Sequence, residues 1–324
     1  MHDAIRRKLL IAAGAALGAS LLRAQPSGGR VHRITILHTA PAFNAAFLAR
    51  MRELGYTEGR NLQVDQSFDV NTPNVLERLP EAAAAARQRS DLILAGGGEY
   101  VVKAIQAAAP GVPLVMLFID VDPAAGGLVA SLARPGGNVT GVYSQNVILA
   151  GKRLEFLKEA VPATRRVAVL FDASTRAQLE GAQQAAGAAK LVLLPQEMRG
   201  SAYDFRGALR EAAKQGADSV LVLSSAQFYP HRADLARAMI ELRLPSAGNT
   251  EFARSGVLLG YGPSFPAMFA QAASHADRIL RGQKAGELPI EQADRVERIV
   301  NLATARELGI AIPDTVQQTA DLIR

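Results

Sequence analysis

The feature that most constrains this chain is an alternation of short apolar segments with helix-length ones. Residues 31–37, 91–95 and 113–118 are runs rich in β-branched residues and leucine, 61–68 reads as a further strand, and between them lie helical stretches at 42–54, 75–88 and 99–109. Pro41 opens the first of these helices and Gly55 closes it. Strands spaced about 25–30 residues apart with intervening helices predict βαβ units and a parallel sheet. Strands this short and this uniformly apolar suit a sheet covered on both faces. The rhythm resumes after Gly141 with strands at 166–171, 191–194, 218–223 and 257–261, and helices at 149–160, 175–189, 203–214 and 232–242. A long helix at 266–281, a strand at 296–302 and a helix at 303–308 complete it. The expected fold is α/β, with two doubly wound, Rossmann-like lobes joined by a hinge. Lobe one would take 31–141 plus 263–287, and lobe two 142–262 plus 288–324. At 324 residues the chain is long enough for two such cores.

The first residues have a different character. Arg6-Arg7-Lys8 precedes an uncharged, Ala/Gly-rich stretch at 9–22, too short for a bilayer core, which needs about 20 residues. A basic start, a short apolar core and small Ala24 near its end predict a cleaved export signal at 1–24. The arginine pair and the weakly apolar core lean towards twin-arginine export, and the Sec route also fits. Whole, the chain has 36 bases and 30 acids; without 1–24 it has 32 and 29, a net charge of +3. The high pI is therefore largely a property of the leader and gives no case for nucleic acid. Export combined with zero cysteines means no disulfides and no cysteine-borne lipid anchor. The expectation is a soluble, unanchored protein in a periplasm.

Motifs of catalysis and cofactor binding are scarce. At 136–141 the glycine spacing of a P-loop is present, but Val142 stands where Lys belongs. No GxSxG or HExxH occurs, and the five histidines (2, 32, 38, 231, 275) have no ligand spacing, so no metal or cofactor is expected. Gly96-Gly97-Gly98 ends a strand and opens a helix. That is the geometry for anion binding by backbone N–H groups and equally for a plain tight turn. Glu99 after it reads either as a helix-dipole partner or as a counter-ion for a ligand ammonium. An exported two-lobed α/β chain without a paired base and nucleophile points to a binding protein, its ligand beyond the carboxyl ends of the strands.

Several segments resemble one family. Asp122-Pro123-Ala124-Ala125-Gly126-Gly127 runs on to Arg134-Pro135-Gly136-Gly137-Asn138-Val139-Thr140-Gly141; Arg52-Glu53-Leu54-Gly55-Tyr56 precedes Glu58-Gly59-Arg60-Asn61; and Gly151-Lys152-Arg153-Leu154-Glu155 follows. Further on come Leu244-Pro245, Tyr261-Gly262-Pro263, Leu288-Pro289-Ile290-Glu291-Gln292 and Gly309-Ile310-Ala311-Ile312-Pro313. Together they resemble ABC-transporter substrate-binding proteins of the tryptophan/tyrosine type, which look like type I periplasmic binding proteins. The resemblance implies a two-lobed flytrap that captures a small amino-acid-like ligand and hands it to an inner-membrane permease driven by a separate ATPase, the receptor itself acting as a monomer. A ligand sensor for a membrane receptor and, less favoured, an exported α/β enzyme are the alternatives. Where the family has a small hydroxyl residue after the third-loop glycines, this chain has Glu99-Tyr100, so the resemblance does not by itself make the ligand an aromatic amino acid.

Candidate ligand residues are those at strand carboxyl ends. Lobe one offers Thr39, Ala40, Gly97, Gly98, Glu99, Asp120 and Asp122: Thr39 and the Gly97 and Gly98 amides for a carboxylate, Glu99 or Asp120 for an ammonium. Lobe two offers Tyr143, Asp172, Ser174, Ser225, Phe228, Asn249 and Tyr261 to close over the ligand. Asp172 reads equally as a helix cap, Asn249 as a turn residue and Tyr261 as hinge packing.

Overall fold

A computed structural model of the protein describes residues 30–119, 122–200 and 203–324. The expected signal at 1–24 and the candidate Asp120 lie outside these residues.

The first half builds β1 (His32–Leu37), α1 (Pro41–Glu53), β2 (Leu62–Phe68), α2 (Val75–Arg87), β3 (Leu92–Gly97), α3 (Glu99–Ala108), β4 (Leu114–Phe118) and β5 (Val139–Tyr143). The second half builds α4 (Asn146–Ala160), β6 (Arg166–Phe171), α5 (Arg176–Ala188), β7 (Val192–Glu197), α6 (Phe205–Lys214), β8 (Ser219–Val222), α7 (Arg232–Glu241), β9 (Ser246–Gly248), α8 (Thr250–Arg254) and β10 (Leu259–Pro263). The chain ends with α9 (Phe265–Leu280), β11 (Glu291–Gln292), β12 (Val296–Asn301), α10 (Leu302–Leu308), α11 (Asp314–Gln317) and β13 (Asp321–Ile323).

These strands form two sheets. The first runs β11-β5-β4-β3-β1-β2, all parallel. The second runs β13-β12-β10-β9-β8-β6-β7, parallel except where β12 meets β10. Each sheet therefore repeats one order, second strand, first, third, fourth, fifth, which is the doubly wound α/β pattern the alternation predicts. Strands β3, β4, β5 and β8 are buried along their whole length because helices cover both faces. Two apolar clusters flank each sheet: Ile34, Phe47 and Leu94 against Leu37, Ile93 and Met116 in the first lobe, and Leu154, Val169 and Leu221 against Ala168, Leu209 and Phe252 in the second. The long helix α9 belongs with the first lobe, where Phe265, Met268, Phe269 and Ala272 join the Ile34 cluster.

The changes of lobe fall slightly later in the chain than the sequence suggests. Val142 and Tyr143 still pair with Leu117 and Phe118 of β4, so the first lobe continues to Tyr143 rather than ending at 141. Leu288, Ile290 and Ala293 pack into the first lobe, and β11 pairs with β5, so the second lobe resumes at β12 and not at 288. Gly141 accounts for the first of these shifts. It sits mid-strand at φ 150°, and a Cβ there would lie 1.9 Å from the Met116 carbonyl oxygen. A glycine demanded by close backbone approach looks, in sequence, like the end of a turn. Arg153 lies fully buried where the chain changes lobes. Its Nε donates to the Tyr261 carbonyl at 2.8 Å and its Nη2 to Asn146 Oδ1 at 3.0 Å.

Candidate ligand-binding cleft

In a doubly wound sheet the crevice opens where strand order reverses, beyond the strand carboxyl ends. Here the reversals fall between β1 and β3 in one sheet and between β6 and β8 in the other. The loops after these four strands supply residues 38–40 and 96–98 from the first lobe, and 172–174 and 224–227 from the second. All line one cleft with two parts that share His38 and Ala226.

The inner part encloses about 50 Å³. Ala40, Phe43, Val70, Ile119, Phe265 and Phe269 form its apolar walls, and His38, Thr39, Ser224, Ser225 and Asn249 its polar ones. Among the described residues no carboxylate, ammonium or guanidinium lines it. Phe43 stacks on Phe265 with ring centres 5.3 Å apart and also meets Tyr229 and Phe269. Most of its polar side chains are engaged by the protein. Thr39 Oγ1 donates to Asn44 Oδ1 at 2.8 Å, and Asn249 Oδ1 caps α8 by accepting from the Glu251 and Phe252 amides. Asn249 is thus both the turn residue and a cleft wall.

The outer part opens to about 1200 Å³ and carries the charge. Asp172 is 5% exposed and caps the turn before α5. Its Oδ1 accepts from the Ser174 amide at 3.0 Å and the Ser174 hydroxyl at 2.6 Å, and its Oδ2 from the Ser225 hydroxyl at 2.5 Å. Among the described residues no cation is ion-paired with it. Facing it across the cleft, Gly97 and Gly98 lead into α3, whose first N–H groups have no partner within the helix. Gly97 must be glycine: φ is 144°, and a Cβ would come 2.7 Å from Val101 Cγ2. At the rim Lys103 pairs with Glu99, while Arg176 and Arg199 both pair with Glu197.

The structure therefore brings Thr39, Ala40, Gly97, Gly98, Glu99, Asp172, Ser174, Ser225 and Asn249 to one cleft. Glu99 comes with its carboxylate already engaged by Lys103. Four other candidates are elsewhere. Asp122 is exposed and folds its own loop, Oδ1 accepting from the Ala124 and Ala125 amides. Tyr143 is 7% exposed in the Phe118 cluster of the first lobe. Phe228 is fully buried between Tyr203 and Phe205 in the second. Tyr261 packs on Phe156 and gives its carbonyl to Arg153. Aromatic residues beside a strand end are apolar enough to be claimed by the core, and period alone does not separate the two fates.

His38 has no motif to mark it in the sequence, yet it lines both parts of the cleft. It is 3% exposed and holds φ 52°. Nδ1 lies 2.8 Å from the Gly96 carbonyl oxygen, which can only accept, so Nδ1 carries the proton and Nε2 is a bare acceptor. Burial holds the imidazole below its ordinary pKa of 6.5, opposed only in part by the bond to Gly96. The unfolded chain then binds a proton below about pH 6.5 that the folded one refuses, so this contribution to stability is complete above 6.5 and declines as pH falls. Melting should occur at a lower temperature at about pH 5.5 than at about 7.5, and His38→Asn should narrow that difference. An equal difference in the variant contradicts this assignment.

The family profile described as ABC transporter substrate binding protein matches residues 42–323. A tyrosine-binding protein of Clostridioides difficile is 23% identical over 268 residues, which span 82% of this chain and 75% of that protein. Among solved structures, a conserved domain protein from Vibrio cholerae superposes with a TM-score of 0.79 at 22% identity, over 92% of this chain and 100% of that one. The ABC domain in complex with L-Trp from Streptococcus pneumonia does so with a TM-score of 0.79 at 18% identity, over 91% of this chain and 100% of that one. No helix among the described residues is long and apolar enough to cross a membrane. With two like sheets meeting at their switch points and a profile match along nearly all of its length, the chain belongs to the ABC transporter substrate-binding protein family.

Proposed function

We propose that this chain is the periplasmic receptor of an ABC import system, exported by its N-terminal leader. It closes its two lobes on an amino-acid-like ligand and passes that ligand unchanged to a permease served by a separate ATPase. The observation that carries the reading is Asp172. A buried carboxylate satisfied by hydroxyl and amide donors, with no cation paired to it among the described residues, is the complement of a ligand ammonium. The amides opening α3 on the opposite lip complement a carboxylate. Together they describe the head group of an amino acid, the rest of which extends into the uncharged inner chamber. The relatives named for tyrosine and bound to L-Trp support an amino acid in that place.

The test is a thermal-shift screen of the chain lacking 1–24 against amino acids, aromatic acids, nucleosides and amides. A ligand at a hundred times its Kd stabilises by about 2.7 kcal/mol, so a hit should raise the melting temperature by roughly 5–10 °C. The ligand should be recovered intact, and deleting the gene should abolish its uptake. Conversion of the ligand, or uptake unaffected by the deletion, contradicts the reading.

A further inference from the structure

We propose that His38 sets the specificity of the cleft: the end of the ligand that enters the inner chamber is uncharged and carries an O–H or N–H that donates to Nε2. This rests on the receptor reading above and adds which chemistry the receptor selects. What singles His38 out is an unmet hydrogen bond. Among the buried side-chain atoms of the described residues lining that chamber, His38 Nε2 is the one without a hydrogen-bond partner. Leaving such an acceptor unpaired costs roughly 1–3 kcal/mol, a penalty that a ligand donor removes and an apolar group preserves. A charged group is disfavoured in the same place because no side chain lining it among the described residues carries a neutralising charge.

The surrounding backbone is built to hold the ring. Non-glycine residues seldom adopt positive φ, and His38 does so at the end of β1, its amide bonded to the Phe68 carbonyl at 3.0 Å. The Gly96 carbonyl fixes the tautomer. A Cβ on Gly97 would stand 3.3 Å from His38 Nδ1, and one on Gly96 would stand 3.4 Å from the His38 carbonyl oxygen. Gly97 therefore makes room for the imidazole as well as opening α3.

The experiment compares three ligand pairs that differ by a single donor: L-tyrosine with L-phenylalanine, L-threonine with L-valine, and 4-hydroxybenzoate with benzoate. Titration calorimetry is run on the wild-type chain, His38→Asn and His38→Gln. Asparagine tolerates the positive φ and can reach the Gly96 carbonyl, so it keeps that contact while removing the acceptor at the Nε2 position. Glutamine places an oxygen near the position of Nε2. The wild type should bind the donor-bearing member of at least one pair roughly ten- to hundredfold more tightly. His38→Asn should reduce that preference to within about twofold, read as the ratio of the two affinities within a pair, and His38→Gln should recover part of it. Equal affinities within every pair that binds, or a preference that survives in His38→Asn, overturns the proposal and leaves the receptor reading intact. Failure of all six compounds to bind counts against the receptor reading, and the inference falls with it.

Discussion

Replacing Asp172 with asparagine is expected to weaken an ammonium-bearing ligand by roughly a hundredfold, about 2.7 kcal/mol. Asparagine is nearly isosteric: its oxygen keeps the bond from the Ser174 amide and so the cap of the turn before α5, and its NH2 donates to the Ser225 hydroxyl in place of accepting from it. What disappears is the charge. In a site only 5% exposed, the attraction between carboxylate and ammonium is little screened, whereas an exposed pair would change affinity by tenfold at most. Melting temperature without ligand should therefore move little while calorimetric affinity collapses. Glu99→Gln supplies the contrast. Its carboxylate is half exposed and paired with Lys103 on the same helix, so the expected change in affinity is less than about threefold. If Glu99→Gln weakened binding as much as Asp172→Asn, the ammonium would have to be placed on the first lobe.

The largest loss of stability is expected from Arg153→Met. The guanidinium is fully buried among strands and loops that pass between the lobes, bonded to the Tyr261 carbonyl and to Asn146 Oδ1. Asn146 in turn donates to the Ser144 hydroxyl at 2.8 Å and to the Ile119 carbonyl. One side chain thus ties α4 to the end of β10, and through Asn146 to the ends of β4 and β5. Methionine fills much of the volume but leaves the Tyr261 carbonyl and Asn146 Oδ1 without this donor, at roughly 1–3 kcal/mol each. Relief from burying a charge offsets part of this. The net expectation is about 3 kcal/mol, a fall in melting temperature of roughly 6–12 °C. A fall of less than about 2 °C would show that the chain changes lobes without need of this link.

How much of this could be read from the sequence depends on what each feature is made of. Strands such as 166–171, and helices with a proline at the start, as at Pro41, follow from local composition and fall where expected. β5 does not, because Gly141 in its centre is explained only by the Met116 carbonyl of a neighbouring strand. β9, β11 and β13 are two or three residues long and owe their conformation to pairing, not to propensity. The cleft followed the same division. Loops after β1, β3, β6 and β8 could be named in advance, since strand ends at a switch point converge whatever their sequence. Which side chains face inward could not. Tyr143 and Phe228 went to the core, Glu99 found Lys103, and His38, a single histidine without a motif, turned into the cleft through a positive φ that no residue pattern announces.

The most direct test of the account is hydrogen exchange by mass spectrometry, with and without the ligand identified by the thermal screen. Lobes closing on a ligand at both switch points should slow exchange together in segments spanning 38–40, 96–99, 172–176, 224–229 and 249–252, with the far edges of the sheets at β2 and β7 unchanged. Protection confined to one lobe, or appearing elsewhere while these segments exchange as before, would contradict the claim that the ligand is held between them.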